Sequence, residues 1–215
     1  MNLAGVAGQI GPCLEMSLLP LPVHPLPQAV IFDCDGTLVD TMPAHYRGWE
    51  EAFAEHGAAG ALDETEYYEL GGVPGPGIVA HVNQKLGIQL DVTSVLRLKR
   101  AKVQEMLPNI RALHPAASWA QWCHAAGLRL AIGSGGTRAI VLASLEITGL
   151  RHLFHDDHVF TADEIPCGKP APDLFLAAAA ALGVAPEDCL VVEDGPPGIA
   201  AARAAGMRCL DVRDF

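Results

Sequence analysis

With 215 residues, half of them hydrophobic, the chain has apolar surface enough for one large domain or for a core with a smaller insertion, and disorder over most of its length is excluded. Its 25 acids against 14 Lys and Arg give a formal charge of −11, which argues against wrapping nucleic acid or lying on an anionic membrane; an anionic small molecule would need local positive charge from a metal ion, a few basic side chains or helix N-termini. Six cysteines without a CxxC pair suggest neither a zinc site nor a disulfide framework and fit thiols in a reducing compartment such as the cytoplasm.

Residues 1–27 lack a basic n-region, and Glu15 and several prolines interrupt their apolar stretch, so they read as a Pro-rich leader rather than a signal peptide or membrane span, with Met16 as a second possible start. In the next stretch, QAVIFDCDGTLVDT from Gln28 to Thr41, the apolar run Ala29-Val30-Ile31-Phe32 delivers two carboxylates, Asp33 and Asp35, followed at once by Gly36-Thr37. A short branched and aromatic run closed by turn residues predicts a strand covered on both faces. Open α/β sheets bind ligands beyond the carboxyl ends of such strands. Two acids so close need a cation, a shared proton, or a reaction that uses one charged and one neutral.

Pro43 starts a predicted helix to about His56, with Tyr46, Trp49, Ala52 and Phe53 at helical spacings, and Gly57 ends it. Further helices are predicted from Asp63 to Leu70, Gly77 to Leu86 and Asp91 to Leu107, with a break at Gly71-Gly72 and no strand anywhere between residues 43 and 110. From Pro115 the pattern alternates: helix to Ala126, strand Leu128 to Gly133, helix Thr137 to Thr148, strand near His158 to Phe160, helix Asp173 to Leu182, strand Cys189 to Glu193, helix Gly198 to Ala205, strand Met207 to Val212. The expected fold is α/β, a doubly wound, Rossmann-like parallel sheet with an inserted small α-helical cap: leader 1–27, core 28–42 and 111–215, cap 43–110. Strand ends then gather Asp33 and Asp35, Ser134, and Glu193 with Asp194 along one edge, and Gly168-Lys169-Pro170 lies in the loop after the third strand.

These four segments, FDCDGTLVDT at Phe32 to Thr41, Ser134 closing LRLAIGS, Lys169 in GKPAPD and VVEDGPPGIAAARAAGM at Val191 to Met207, resemble the haloacid dehalogenase superfamily over Gln28 to Phe215. The resemblance implies a hydrolase acting on a phosphomonoester through an aspartyl phosphate. Asp33 is then the nucleophile, Asp35 the acid and later the base, Ser134 a donor to a phosphoryl oxygen, and Lys169 a screen for charge on the nucleophile and the transferring group. Mg²⁺ is held by Asp33, the carbonyl of Asp35 and Asp194, with Glu193 either ligating or acting through hydrogen bonds. The residue types suit that chemistry, because an anionic ester resists an anionic nucleophile until hard oxygens fix a cation beside it. Gly135 adjoins the phosphate position, where Gly135-Gly136 stand for more polar neighbours. Thr41 and His45, one helical turn apart, form the corner that in the family helps bind substrate and position the acid; an ordinary exposed histidine is an equally open reading of His45.

The helical insert resembles the β-phosphoglucomutase-like group, and within it the fructose-1-phosphate phosphatase branch, so the expected substrate is a small phosphorylated metabolite, a sugar phosphate, handled by a monomer. A mutase must grip both ends of a bisphosphate. Here GGVPGPG (Gly71 to Gly77) carries no charge, Thr137 stands where the mutases have lysine, and Lys99, with Arg100 beside it, is the remaining candidate for a distal contact. Hydrolysis is therefore preferred over mutase activity. A dehalogenase would have no use for Asp35 and Asp194, and a non-catalytic binding module would be expected to lose at least one of Asp33, Asp35, Lys169 and Asp194, all present.

Overall fold

A computed structural model describes residues 25–70 and 73–214. The first strand, β1 (Ala29–Phe32), leads into four helices: α1 (Met42–Glu55), α2 (Glu64–Glu69), α3 (Gly75–Leu86) and α4 (Val92–Met106). Alternation follows: α5 (Ala116–Ala125), β2 (Arg129–Ser134), α6 (Arg138–Ile147), β3 (Val159–Thr161), α7 (Asp173–Leu182), β4 (Cys189–Glu193), α8 (Pro196–Ala204) and β5 (Arg208–Asp211). The five strands form one sheet in the order β3-β2-β1-β4-β5, and each neighbouring pair is parallel. β1 sits in the middle, with Phe32 opposite both Ile132 and Val192.

Strand pleating sorts the core into two layers. Val30, Phe32, Ile132 and Val192 face Trp119, Val141 and Leu145 of α5 and α6, where Phe32 meets the Trp119 ring edge-on at 5.5 Å. Ala29, Ile31, Ala131 and Val191 face Leu174, Phe175 and Ala201 of α7 and α8. Every residue of β1 is buried, as a strand covered on both faces must be. The doubly wound α/β fold expected from the sequence is therefore present.

The helical segment buries a core of its own, built from Trp49, Phe53, Tyr67, Val79, Val82 and Val95. Its helices α1 and α4 run antiparallel in close contact, with Gly48 against Lys99 and Val103 and His56 Nε2 2.9 Å from Ser94 Oγ. A glycine inside a helix costs roughly 0.5–1 kcal/mol relative to alanine, so Gly48 is there for the approach of α4, not for the stability of α1.

The observed elements depart from the expected ones mainly at two starts. α3 begins at Gly75 rather than Gly77, and α8 at Pro196 rather than Gly198, because prolines are tolerated in the first turn, where the missing N–H has no intrahelical partner to lose. The expected break at Gly71-Gly72 and all but the end of the leader lie outside the described residues.

Candidate active site

The ladder of β1 continues one residue further, Asp33 N donating to Val192 O at 2.9 Å, which sets the Asp33 carboxylate at the carboxyl edge of the sheet. The chain then folds back tightly, with Leu38 N and Val39 N both donating to Cys34 O. Gly36 makes this turn with φ +88°, and a Cβ there would lie 2.5 Å from Asp194 Oδ2. Only glycine accommodates both the dihedral and that approach.

Lys169 Nζ lies 2.6 Å from Asp33 Oδ1 and 2.7 Å from Glu193 Oε1. The other Glu193 oxygen accepts from Gly195 N at 2.6 Å, and a Cβ on Gly198 would overlap the Glu193 carboxylate. Glu193 is thus a fixed anchor for Lys169. Thr37 Oγ1 donates to Asp194 Oδ1 at 2.9 Å. Asp33, Glu193 and Asp194 bring oxygens within 4.8 Å of one another.

Burial pushes Asp33 well above the usual carboxylate range against the pull of the Lys169 ammonium, and Glu193, Asp194 and Asp35 push the same way. Asp194 is pushed up to about 6 by burial and by Glu193, which outweigh the Thr37 hydrogen bond and Lys169. Burial alone would lower Lys169, but Asp33 and Glu193 hold it above its ordinary value. One ammonium serves a group of three carboxylates. The hard oxygens and the excess negative charge fit a divalent cation of the Mg²⁺ type.

Asp35 is held differently. It accepts from Thr41 Oγ1 at 2.6 Å and from Ser134 Oγ at 3.3 Å, and His45 Nε2 lies 3.7 Å from its Oδ1. Thr41 is the N-cap of α1 but makes no capping bond with its side chain, because that hydroxyl is given to Asp35. Ser134 Oγ accepts in turn from Gly136 N at 3.0 Å, and a Cβ at Gly136 would lie 2.9 Å from Asp35 Oδ2.

Lys99 Nζ lies 2.7 Å from His45 Nδ1 and 5.4 Å over the Trp49 ring. An ammonium only donates, so Nδ1 accepts and the imidazole proton sits on Nε2. Burial and the Lys99 charge push His45 down to about 4, and burial pushes Lys99 down to about 8. His45 Nε2 is buried with no hydrogen-bond partner among the described residues.

A cavity of about 530 Å³ opens over this edge, its floor including Asp33, Asp35, Lys169 and Asp194 and its helical wall Trp49, Tyr67, Ile78 and Leu96. Among the residues singled out in the sequence, Asp33, Asp35, Lys169, Glu193 and Asp194 come together on the floor, Ser134 is buried beneath it against Asp35, Thr41 and His45 pack on Asp35, and Gly135 lines the cavity. Lys99 lines the cavity and also contacts His45. The sequence did not single out Thr37, Tyr67 or Trp49 for the site. Thr37 follows Asp35-Gly36 directly and its hydroxyl was the available signal, whereas Trp49 stood out only by its helical spacing and both Trp49 and Tyr67 also belong to the helical core.

Known proteins were matched at three levels. The haloacid dehalogenase-like hydrolase family matches residues 27–206. Fructose-1-phosphate phosphatase YqaB of Escherichia coli (strain K12) is 39% identical over 185 residues, 86% of this chain and 95% of that protein. Protein CbbY of Rhodobacter capsulatus is 35% identical over 188 residues, 84% of this chain and 83% of its own. The crystal structure of CbbY from Rhodobacter sphaeroides in complex with phosphate has a TM-score of 0.73 at 29% identity and covers 86% of this chain and 85% of that one. Agreement at all three levels, over a parallel sheet whose strand ends carry the acids, makes this chain a member of the haloacid dehalogenase-like hydrolases.

Proposed function

We propose that the protein is a Mg²⁺-dependent phosphatase that hydrolyses a small phosphomonoester, a sugar phosphate, through an aspartyl phosphate on Asp33. The observation that carries this reading is the Asp33–Lys169–Glu193 chain beside Asp194, with Asp35 separately held two residues away. Similarity to a fructose-1-phosphate phosphatase and to a phosphate-bound CbbY supports the substrate class.

In this mechanism Asp33 attacks phosphorus in line and the bond from phosphorus to the leaving oxygen breaks. Asp35 gives that oxygen its proton, then takes one from water as the water displaces Asp33 from phosphorus. Ser134 Oγ donates to a phosphoryl oxygen once Asp35 releases it. Lys169, clamped by Glu193, works against the rise that burial imposes on Asp33 and aims its carboxylate. Asp33, Asp194 and the Asp35 carbonyl would hold Mg²⁺, which supplies neutralisation of the phosphoryl oxygens when bound. His45 offers its Nε2 proton to the substrate beside Asp35. His45→Ala is accordingly expected to lower kcat/KM by about 10- to 100-fold, measured as phosphate release; an unchanged value would remove His45 from the site.

The separate hydrophobic core of the helical segment supports a cap of residues 43–110 on a core of 28–42 and 111–215. No helix among the described residues is long and apolar enough to cross a membrane, and Cys34, Cys123, Cys167, Cys189 and Cys209 are free thiols, which fits the proposed place of action, the cytoplasm. We take the protein to act as a monomer, the simplest arrangement for a core carrying its own cap.

Burial holds Asp33 and Asp194 above the usual range in the metal-free chain. A raised folded value stabilises at low pH, and for Asp194 that contribution is lost as pH rises through about 6. Mg²⁺ is therefore expected to raise Tm by roughly 5 °C more at pH 8 than at pH 5 in thermal melts. Equal increments at both pH values would exclude these carboxylates as its ligands.

The deciding experiment is phosphate release from a panel of sugar phosphates, fructose 1-phosphate included, with Mg²⁺ present. Hydrolysis of at least one ester well above the others is expected, and no release from any of them sinks the reading. A mutase would convert β-glucose 1-phosphate, primed with its bisphosphate, to glucose 6-phosphate without releasing phosphate. Most of the helical wall is apolar; of the two cations lining it, Lys99 and Arg100, the first is engaged by His45, which favours hydrolysis over a two-ended grip.

A further inference from the structure

We infer that Gly48 is a positioning residue: having no side chain where α1 meets α4, it lets α4 come close enough for Lys99 to hold Nδ1 of His45 and so aim Nε2 at Asp35. The inference rests on the roles proposed above for Asp35 and His45.

Gly48 is buried and lies one turn beyond His45 on α1. A Cβ on it would stand 2.8 Å from Val103 Cγ2, 3.0 Å from the Lys99 carbonyl oxygen and 3.6 Å from Lys99 Cγ. The valine methyl can rotate away. The carbonyl cannot, because it is part of the α4 backbone. A methyl at residue 48 therefore moves α4 itself, and the residue displaced first is Lys99, whose ammonium is the 2.7 Å partner of His45. The Lys99 stem itself is met only at ordinary van der Waals distance, so the displacement acts through the Lys99 backbone. With Nδ1 released, nothing fixes the imidazole proton on Nε2, the nitrogen 3.7 Å from Asp35 Oδ1. Gly48 touches neither Asp35 nor the cavity floor, so it acts only through Lys99 and His45.

The test is a double-mutant cycle of Gly48→Ala and Lys99→Met in the full chain, read out twice. Phosphate release should fall about 10- to 100-fold in kcat/KM for either single variant, and the double variant should lose no more than about a further two-fold, because both changes cut the same link. On protein carrying ¹⁵N-histidine, the wild-type His45 signals should report a proton on Nε2 at neutral pH, and both single variants should report a mixture of tautomers. Losses that multiply in the double variant, or an unchanged tautomer in Gly48→Ala, overturn the inference. If Gly48→Ala alone fails to fold, Gly48→Ala combined with Val103→Ala removes the methyl overlap but leaves the Lys99 carbonyl in the way, and the same loss is expected. The imidazole signals need no substrate, so failure of the phosphatase reading and failure of this inference are told apart.

Discussion

Asp33→Asn is expected to abolish phosphate release from every ester the wild-type protein hydrolyses, by on the order of 10⁴-fold or more, while leaving the metal-free protein at least as stable. The amide has nearly the shape of the carboxylate but no anionic oxygen to attack phosphorus. Stability should not suffer because burial and the neighbouring acids Glu193, Asp194 and Asp35 already oppose a charge at residue 33. Asparagine removes that charge from the group, and Lys169 keeps Glu193 as its partner at 2.7 Å. The measurement is paired: phosphate release with Mg²⁺, and Tm without it. Residual activity within ten-fold of wild type would reject Asp33 as nucleophile. A lower Tm in the variant would mean that the Asp33–Lys169 pair stabilises the fold more than its burial opposes it.

Lys169→Met should be costly on both counts. It takes the ammonium from between Asp33 and Glu193 and leaves two buried carboxylates facing a methyl group. Breaking a buried pair from one side typically costs about 3–5 kcal/mol, a drop in Tm of roughly 10 °C for a chain of this size. The loss should shrink as pH falls, because a carboxyl group whose folded value is raised takes up a proton earlier than a free one and then no longer demands a partner. Phosphate release should fall together with stability but not recover at low pH. An unchanged Tm at pH 8 would mean that water or a bound cation already neutralises these carboxylates, and that the lysine does not hold the pair together.

Much of this was readable in the sequence because its signals are local. Ala29-Val30-Ile31-Phe32 and Leu190-Val191-Val192 are apolar runs with turn residues or acids directly after them, and such runs announce both a central strand and its carboxyl end. Once the sheet is parallel, its strand ends must share an edge, which is why Asp33, Ser134 and Asp194 could be grouped without coordinates. What stayed hidden depends on how helices pack. Lys99 reaches His45 across 54 positions, and Thr37 reaches Asp194 across 157, with nothing in either neighbourhood to announce the partner. The early start of α3 was obscured because a proline breaks a helix in its interior and favours it in its first turn.

The central strand has only four residues, its side chains alternate between two hydrophobic layers, and the attacking group comes next in the chain. One amino acid inserted or deleted within that run would exchange Val30 and Phe32 with Ala29 and Ile31 across the sheet and swing Asp33 away from the edge in the same stroke. Point changes can divide reactivity from foldedness at this locus, but changes of length cannot, so indels here should be lethal to both at once, while the surface turns between elements can grow or shrink at little expense.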